Sequence, residues 1–242
     1  MRNYLSFGGG VNSVALHLLM LDQGVEFESV FVHHGTDWPE TYQYVAGFQW
    51  WLKSQGHRPI TVLRPAVGKY GDSVLYDYFH RYKIIPTMWR RFCTEKFKVS
   101  VFSKYVEKPC FSLLGIDYGE KHRAKLAYDN EIENRWPLIE QEIDRDGCKK
   151  IILEHGLPIP MRSGCYVCPY QKKSQWIQLR KEHPCLFSRA VELEKNLVDR
   201  LKASNKKPYY LTSKKGSLES VVDEHQVSML EEDQYPPCQC GL

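Results

Sequence analysis

Two short stretches of this 242-residue chain hold residue types whose spacing can do chemistry. The first is Phe7-Gly8-Gly9-Gly10-Val11-Asn12-Ser13, set between an apolar run and a helical pattern. Glycines there let the backbone approach an anion closely, and a helix N-terminus presents free N–H groups with a partial positive charge. Ser13 adds a hydroxyl donor. The pattern is neither Gly-x-Gly-x-x-Gly nor a loop closing on Lys-Ser/Thr, which disfavours a dinucleotide fold and an ordinary P-loop. The second stretch is Arg162-Ser163-Gly164-Cys165-Tyr166-Val167-Cys168-Pro169-Tyr170. Two thiolates three apart in a tight turn can face one metal ion or cluster. One such pair supplies two ligands, so a four-ligand site needs two more cysteines.

The chain has eight cysteines: Cys93, Cys110, Cys148, Cys165, Cys168, Cys185, Cys238 and Cys240. In a reducing compartment disulfides are disfavoured, which moves metal binding and redox chemistry forward. Cys110, beside an apolar strand, reads as an inert core thiol, and Cys148 as a helix-face residue. Around Cys93 runs a basic stretch, Lys69, Arg81, Lys83, Arg90, Arg91, Lys96 and Lys98, suited to a phosphate, a sulfate or an anionic cluster. His33 and His34 end a strand and are candidates for acid–base work, although such a pair more often splits into one buried and one exposed ring. Trp50, Trp51, Trp136 and Trp176 read as packing residues rather than stacking platforms.

The elements that must position these groups follow from periodicity. Residues 3–7, 27–33 and 60–63 are predicted strands, and 12–23 and 39–56 are predicted helices. Asn12 is a candidate cap for the first helix, Gly24 ends it, and Pro39 opens the second. Strand, helix, strand, helix, strand implies a parallel sheet with helices on its faces. Further strands are expected at 111–116 and 136–139, and a helix at 144–155, stopped by Gly156 and Pro158. Beyond the Cys-x-x-Cys turn, helical patterns run over 172–182 and 184–203, followed by a polar tail that ends Cys-Gln-Cys-Gly-Leu. The organisation expected is an α/β unit over 1–157 and a cysteine-rich helical region over 158–242 that packs on it.

Hydrophobic residues at 43 %, charged residues at 26 % and a net charge of +4 exclude a disordered chain, a collagen and a coiled-coil rod. The mild positive charge permits anionic ligands without arguing for nucleic acid, and there is no recognition-helix or zinc-finger pattern. No apolar run approaches the ~18–20 residues that span a bilayer, and the first residues lack a signal-peptide pattern, so a cytoplasmic protein with no membrane partner is expected.

The glycine loop resembles the Ser-Gly-Gly-x-Asp-Ser pyrophosphate loop of the adenine-nucleotide alpha-hydrolase (PP-loop ATP pyrophosphatase) superfamily. Gly9, Gly10 and Ser13 match, Gly8 stands where that family has serine, and Asn12 where it has aspartate. Gly35-Thr36-Asp37-Trp38-Pro39-Glu40-Thr41-Tyr42 resembles the segment after the second strand in the phosphoadenosine-phosphosulfate (PAPS) reductase branch, which has Asp-Thr at the place of His33-His34. Arg91-Phe92-Cys93-Thr94-Glu95-Lys96-Phe97-Lys98 is similar to its Arg-x-Cys-x-x-x-x-Lys stretch. Gly115-Ile116-Asp117, with Glu120 and Arg123, is similar to its Gly-Ile-x-x-x-Glu-x-x-Arg segment.

This PAPS reductase-like resemblance implies an α/β fold with helices on both faces of a parallel sheet and a nucleotide at the strand C-termini. It implies nucleotide binding by Phe7, Gly8, Gly9, Gly10, Asn12, Ser13, His33, Arg91, Lys98, Gly115, Glu120 and Arg123, with Asn12 and Ser13 in the catalytic group. It further implies ATP, with Mg2+ as its counterion, and a [4Fe–4S] cluster held by Cys93, Cys165, Cys168 and Cys240. Cys238 and Cys185 remain alternatives for the fourth ligand, and structural zinc on Cys165, Cys168, Cys238 and Cys240 is the alternative metal. The activity implied is ATP cleavage at the α-phosphate coupled to sulfur chemistry. The alternatives are a thiol-dependent reductase of PAPS or adenylyl sulfate, with Cys240 as nucleophile, and a non-catalytic accessory subunit of a DNA-modification or defence system. A homodimer and a partner protein or nucleic-acid acceptor are compatible with each.

Overall fold

The structure is a computed structural model that describes residues 1–89, 92–125, 129–212 and 216–223. Among these residues five strands form one sheet: β1 (Arg2–Ser6), β2 (Glu28–Val32), β3 (Thr61–Leu63), β4 (Cys110–Leu114) and β5 (Ile132–Arg135). Their order is β3-β2-β1-β4-β5 and every neighbouring pair is parallel. The expected α/β fold class is therefore present. The chain moves outward from β1 to β3 and then returns to the other side of β1, so the direction of winding reverses between β1 and β4.

Alternation along the strands sends side chains to two faces. Leu5, Phe7, Phe31 and Leu113 pack against helices α1 (Val11–Asp22), α2 (Pro39–Ser54) and, further along, Cys148 and Ile152. Tyr4, Val30, Cys110 and Ile132 face the opposite way, onto Phe102 and Val106. Cys110 is fully buried there, the core thiol expected of it.

The helices that complete the chain are α3 (Leu75–Tyr82), α4 (Phe92–Thr94), a π-helical turn at Glu95–Val99, α5 (Ser100–Tyr105), α6 (Pro137–Glu140), α7 (Arg145–Glu154), α8 (Lys173–Glu182), α9 (Pro184–Ala203) and α10 (Leu218–Asp223). Local chemistry sets their ends. Pro39 and Pro184 occupy first-turn positions of α2 and α9, and the Asp144 carboxylate accepts from Gly147 N at 2.8 Å to cap α7. A second core unites Leu75, Tyr78 and Phe79 of α3 and Phe97 of the π-helical turn with Tyr166, Val167, Trp176 of α8 and Leu193 and Leu197 of α9. The C-terminal helices thus share their interior with residues 75–97.

Three expectations change. The strand expected at 136–139 lies at β5, and α6 follows it. Its inward positions are Ile132 and Asn134, with Glu133 and Arg135 outward, so a polar residue hides the alternation, and Pro137 favours a helical first turn over an extended run. Asn12 is not the cap of α1: Gly10 holds that position with extended backbone, and Asn12 sits inside the first turn with its side chain turned to the next strand's loop. Trp50 does not pack inward; on α2 it stands 73 % exposed. Trp176 is buried as expected. Among the described residues no helix is long and apolar enough to cross a membrane.

Candidate functional site

Open α/β sheets bind ligands outside the carboxyl ends of the strands, where the winding reverses. In this chain that point lies between β1 and β4, and the glycine loop leaves β1 directly above it. Gly9 adopts a left-handed backbone with φ of 69°, and a Cβ there would lie 2.9 Å from Val45 Cγ2 and 3.1 Å from Thr41 Cγ2 of α2. Ser13 Oγ donates to Gly10 O at 3.0 Å and accepts from Gly8 N at 3.2 Å, which folds the loop back on the helix. The first turn of α1 contains no acidic side chain. Its leading N–H groups have no intrahelical acceptor, as in any α-helix, and the helix dipole adds positive potential.

The loop after β4 closes the other wall. A Cβ on Gly115 would meet Ser13 N at 2.9 Å and Asn12 C and Ser13 Cα at 3.0 Å, so only glycine lets the two loops touch. Asn12 Nδ2 donates to Asp117 Oδ2 at 2.9 Å, and Arg145 Nη1 donates to Asn12 Oδ1 at 2.8 Å. Asp117 also accepts from Glu120 N at 3.0 Å, capping the 3-10 turn at Tyr118–Arg123. Both ends of the Asn12 carboxamide are therefore spent inside the protein, linking the glycine loop, the β4 loop and α7. Glu120 and Arg123 form an ion pair with each other. Burial, opposed by Arg123 and reinforced by Asp117, raises the Glu120 carboxyl above its ordinary value.

The loop after β2 forms the third wall. His34 is buried with both ring nitrogens engaged, Nδ1 to Thr36 Oγ1 at 2.7 Å and Nε2 to Asp37 Oδ1 at 3.3 Å. His33 is half-buried, its ring stacked on Tyr42 with centroids 4.3 Å apart. Its Nδ1 is sealed from solvent and has no hydrogen-bond partner among the described residues. Burial, with Arg64 and His34 adding to it, lowers the His33 ring below its ordinary value, so His33 is neutral at pH 7. Burial alone would raise the Asp37 carboxyl, but His34, Lys98 and His33 outweigh it and hold Asp37 below the usual carboxylate range. Lys98 is thus brought to the crevice beside Asp37. Other members of the basic stretch point elsewhere: Arg81 pairs with Asp72 at 3.1 Å, and Lys96 Nζ donates to Tyr78 OH at 3.3 Å.

The cysteine turn is laid across these loops. Trp38 N donates to Gly164 O and Tyr166 N donates to Thr36 O, both at 2.9 Å, so Asp37 and Cys165 pair as a short antiparallel bridge. A Cβ on Gly10 would lie 2.6 Å from Ser163 Oγ, which places Ser163 directly against the glycine loop. Cys168 N donates to Cys165 O at 3.0 Å, closing the Cys-x-x-Cys turn. Cys93 packs against the same core as Cys165 and lies near enough to add to its charge environment. Burial, with Asp37 adding to it, pushes the Cys165 thiol well above its ordinary value; a bound cation is what would remove that proton. Among the described residues no three cysteine sulfurs lie within 4.8 Å of one another.

No model of a known protein family and no curated protein matches the sequence. Among solved structures the chain is similar to phosphoadenylyl-sulfate (PAPS) reductase from Candida auris in its phosphate complex, at 14 % identity and a TM-score of 0.47, over 66 % of this chain and 75 % of that one.

Of the residues singled out by sequence, the structure brings Gly8, Gly10, Asn12, Ser13 and Gly115 together where the glycine and β4 loops touch, packs Gly9 on α2, joins Glu120 to Asp117 and to Arg123, and sets Cys165 beside Asp37, with His33 and Lys98 acting on Asp37, Cys93 on Cys165, and Cys168 closing the turn. Phe7 contributes packing, stacked on Phe48 with ring centroids 5.6 Å apart, and only its backbone lies in the loop. Arg91, Cys238 and Cys240 lie outside the described residues. Cys185 is exposed near the start of α9, and Cys148 is buried in α7. Sequence reasoning passed over Tyr42, Arg145 and Ser163 as site residues. Ser163 sits in the cysteine motif and was within reach; Arg145 begins a helix far along the chain and carries no local signal.

Proposed function

We propose that this chain is a PAPS reductase-like nucleotide-binding enzyme that cleaves ATP at the α-phosphate and couples that step to iron–sulfur-dependent sulfur chemistry. The observation that carries the reading is the meeting of the glycine loop, the β4 loop and the cysteine turn at the winding reversal, with a helix N-terminus free of acidic residues between them. An oxygen of the acceptor attacks the α-phosphorus, the bond to the β-phosphate oxygen breaks, and pyrophosphate leaves with an adenylated acceptor remaining. Backbone N–H groups of the loop and of the first turn of α1 hold the departing phosphates, with Ser13 as hydroxyl donor and Lys98 as nearby cation. Asn12 positions the turn through Asp117 and Arg145. Mg2+ would enter with the triphosphate. Arg91 is assigned here on its resemblance alone.

Cys93, Cys165 and Cys168 would hold the cluster, with Cys240 as the fourth ligand or an open position. The cluster supplies a place to bind sulfur or pass electrons. The Cys165 thiol, held protonated beside Asp37, fits that role only once metal displaces its proton. One observation favours a second reading, an accessory subunit that binds nucleotide without turnover: the family's aspartate is Asn12, with its carboxamide fully engaged. Pyrophosphate release, measured anaerobically with and without nucleic acid, separates the two. Release that is lost on Gly10→Val supports the enzyme. Tight ATP binding with no release under either condition supports the accessory role. Absence of ATP binding overturns both.

A further inference from the structure

Away from the phosphate loop, three side chains from three helical elements meet. Glu40 lies in the first turn of α2, Glu182 is the last residue of α8, and His183 is the elbow between α8 and α9. One donor atom from each lies within 4.8 Å of the other two. His183 Nε2 is 2.7 Å from Glu40 Oε1. The second carboxylate oxygen of Glu40, Oε2, is sealed from solvent and has no hydrogen-bond partner among the described residues. A buried, unsatisfied carboxylate oxygen is costly, and an ion pair that uses one oxygen leaves that cost standing.

The surroundings hold the donors in place. Gln178 Nε2 donates to Glu182 Oε2 at 3.0 Å, which leaves the other Glu182 oxygen as a further acceptor. The Trp38 ring stands edge-on to the His183 imidazole with centroids 5.7 Å apart, and Trp38 Nε1 donates to Gln171 Oε1 at 3.2 Å. Two carboxylates and one imidazole carry two negative charges when the ring is neutral. They present only oxygen and nitrogen donors, the chemistry of a first-row divalent cation such as manganese or zinc with water in its open positions.

We infer that Glu40, Glu182 and His183 form a divalent-cation site that clamps α2 to the α8–α9 elbow. The clamp reaches the phosphate loop through one residue, because Thr41 follows Glu40 and touches the space above Gly9. It also reaches the cysteine turn through Trp38, which bonds to Gly164. The inference does not depend on the ATP reading.

Manganese tests it, because manganese takes oxygen and nitrogen donors in preference to the thiols of the cysteine turn. The full chain, stripped with chelator and free of nucleotide, is titrated with Mn2+ alone and bound metal is read by electron paramagnetic resonance and thermal unfolding. We expect one bound Mn2+ per chain and a Tm rise of roughly 5–10 °C at a hundredfold excess over Kd. Glu182 is exposed, so Glu182→Gln leaves the metal-free Tm unchanged and weakens Mn2+ binding by about a hundredfold. His183→Gln does the same to the affinity. Failure of the wild-type chain to bind stoichiometric Mn2+, or unchanged binding in Glu182→Gln, overturns the site.

Discussion

Replacing Gly115 by alanine tests whether the crevice is built as described, because one methyl group would be placed where the two loops touch. The nearest atoms, Ser13 N at 2.9 Å and Asn12 C and Ser13 Cα at 3.0 Å, are all backbone and cannot swing aside. Ordinary contact begins at 3.4 Å, so the first turn of α1 must retreat by 0.4–0.5 Å, from 3.4 − 3.0 and 3.4 − 2.9. Gly115 does not use a left-handed backbone, so alanine meets no torsional penalty and the contact alone sets the effect. Overpacking of this kind costs about 1–3 kcal/mol. For a chain of this size that lowers Tm by roughly 2–12 °C. The same retreat moves the N–H groups that would face the phosphates of the proposed nucleotide. Losing one charge-assisted hydrogen bond, worth about 1.5–3 kcal/mol, weakens ATP binding by about 10–100-fold. Gly47→Ala is the control: Gly47 lies within α2, exposed, with nothing within 4 Å of its added Cβ. It should gain about 0.5–1 kcal/mol from helix propensity and leave ATP affinity untouched. Urea denaturation and calorimetric ATP titration of both variants decide the matter. A Gly115→Ala protein as stable as wild type and equal in ATP affinity would refute the geometry.

Two further perturbations address single side chains. Asn12→Asp puts a second carboxylate 2.9 Å from Asp117, with Arg145 to offset one charge, and should cost about 1–3 kcal/mol at pH 7. The pair's shared proton binds more tightly in the folded state than in the unfolded one, so the lost stability returns as pH falls toward 5, which denaturation at pH 7 and pH 5 measures. His17 is buried among Phe7, Phe27 and Phe48 with Nδ1 on Ser29 Oγ at 2.8 Å; burial, with His57 adding to it, lowers its pKa to about 3. The unfolded ring titrates near 6.5, so between those values the unfolded state binds the extra proton and stability falls with pH, by about 2 kcal/mol on going to pH 5. His17→Gln should flatten that slope, and an unchanged slope would remove His17 as its source.

Most of the sheet was legible because short apolar or β-branched stretches mark β2, β3 and β4, and the glycines after Phe7 mark the end of β1. The strands expected at 3–7, 27–33, 60–63 and 111–116 appear as β1 to β4 within one or two residues at each end. β5 was misplaced because an edge strand that buries Ile132 and Asn134 has no apolar period to read. The segment from α3 to α5 went unassigned for a different reason. Its aromatic residues, Tyr78, Phe79, Phe92 and Phe97, face a core completed by α8 and α9 far along the chain, so the pattern makes sense only with its partners present.

The site shows the same division between local and distant information. Glycines that open a helix after a strand announce their role locally, and the first loop was read that way; the cysteine turn was read from its spacing, and the β4 segment from its resemblance to a family motif. What sequence could not show is that Gly10 lies against the Ser163 side chain and Gly115 against the backbone of Asn12 and Ser13, so that three loops meet at one place. Asn12 makes the point sharply. Read alone, it is a cap or a replaced acid; in the fold it is the middle member of a chain from Arg145 to Asp117. A carboxylate at that position would face Asp117 across a hydrogen-bond distance with no proton between them. Asparagine supplies the missing donor and keeps the acceptor that Arg145 requires. Asparagine in place of the aspartate of the resembled motif therefore fits this chain's own Asp117 and Arg145, and ties the glycine loop to the β4 loop and α7.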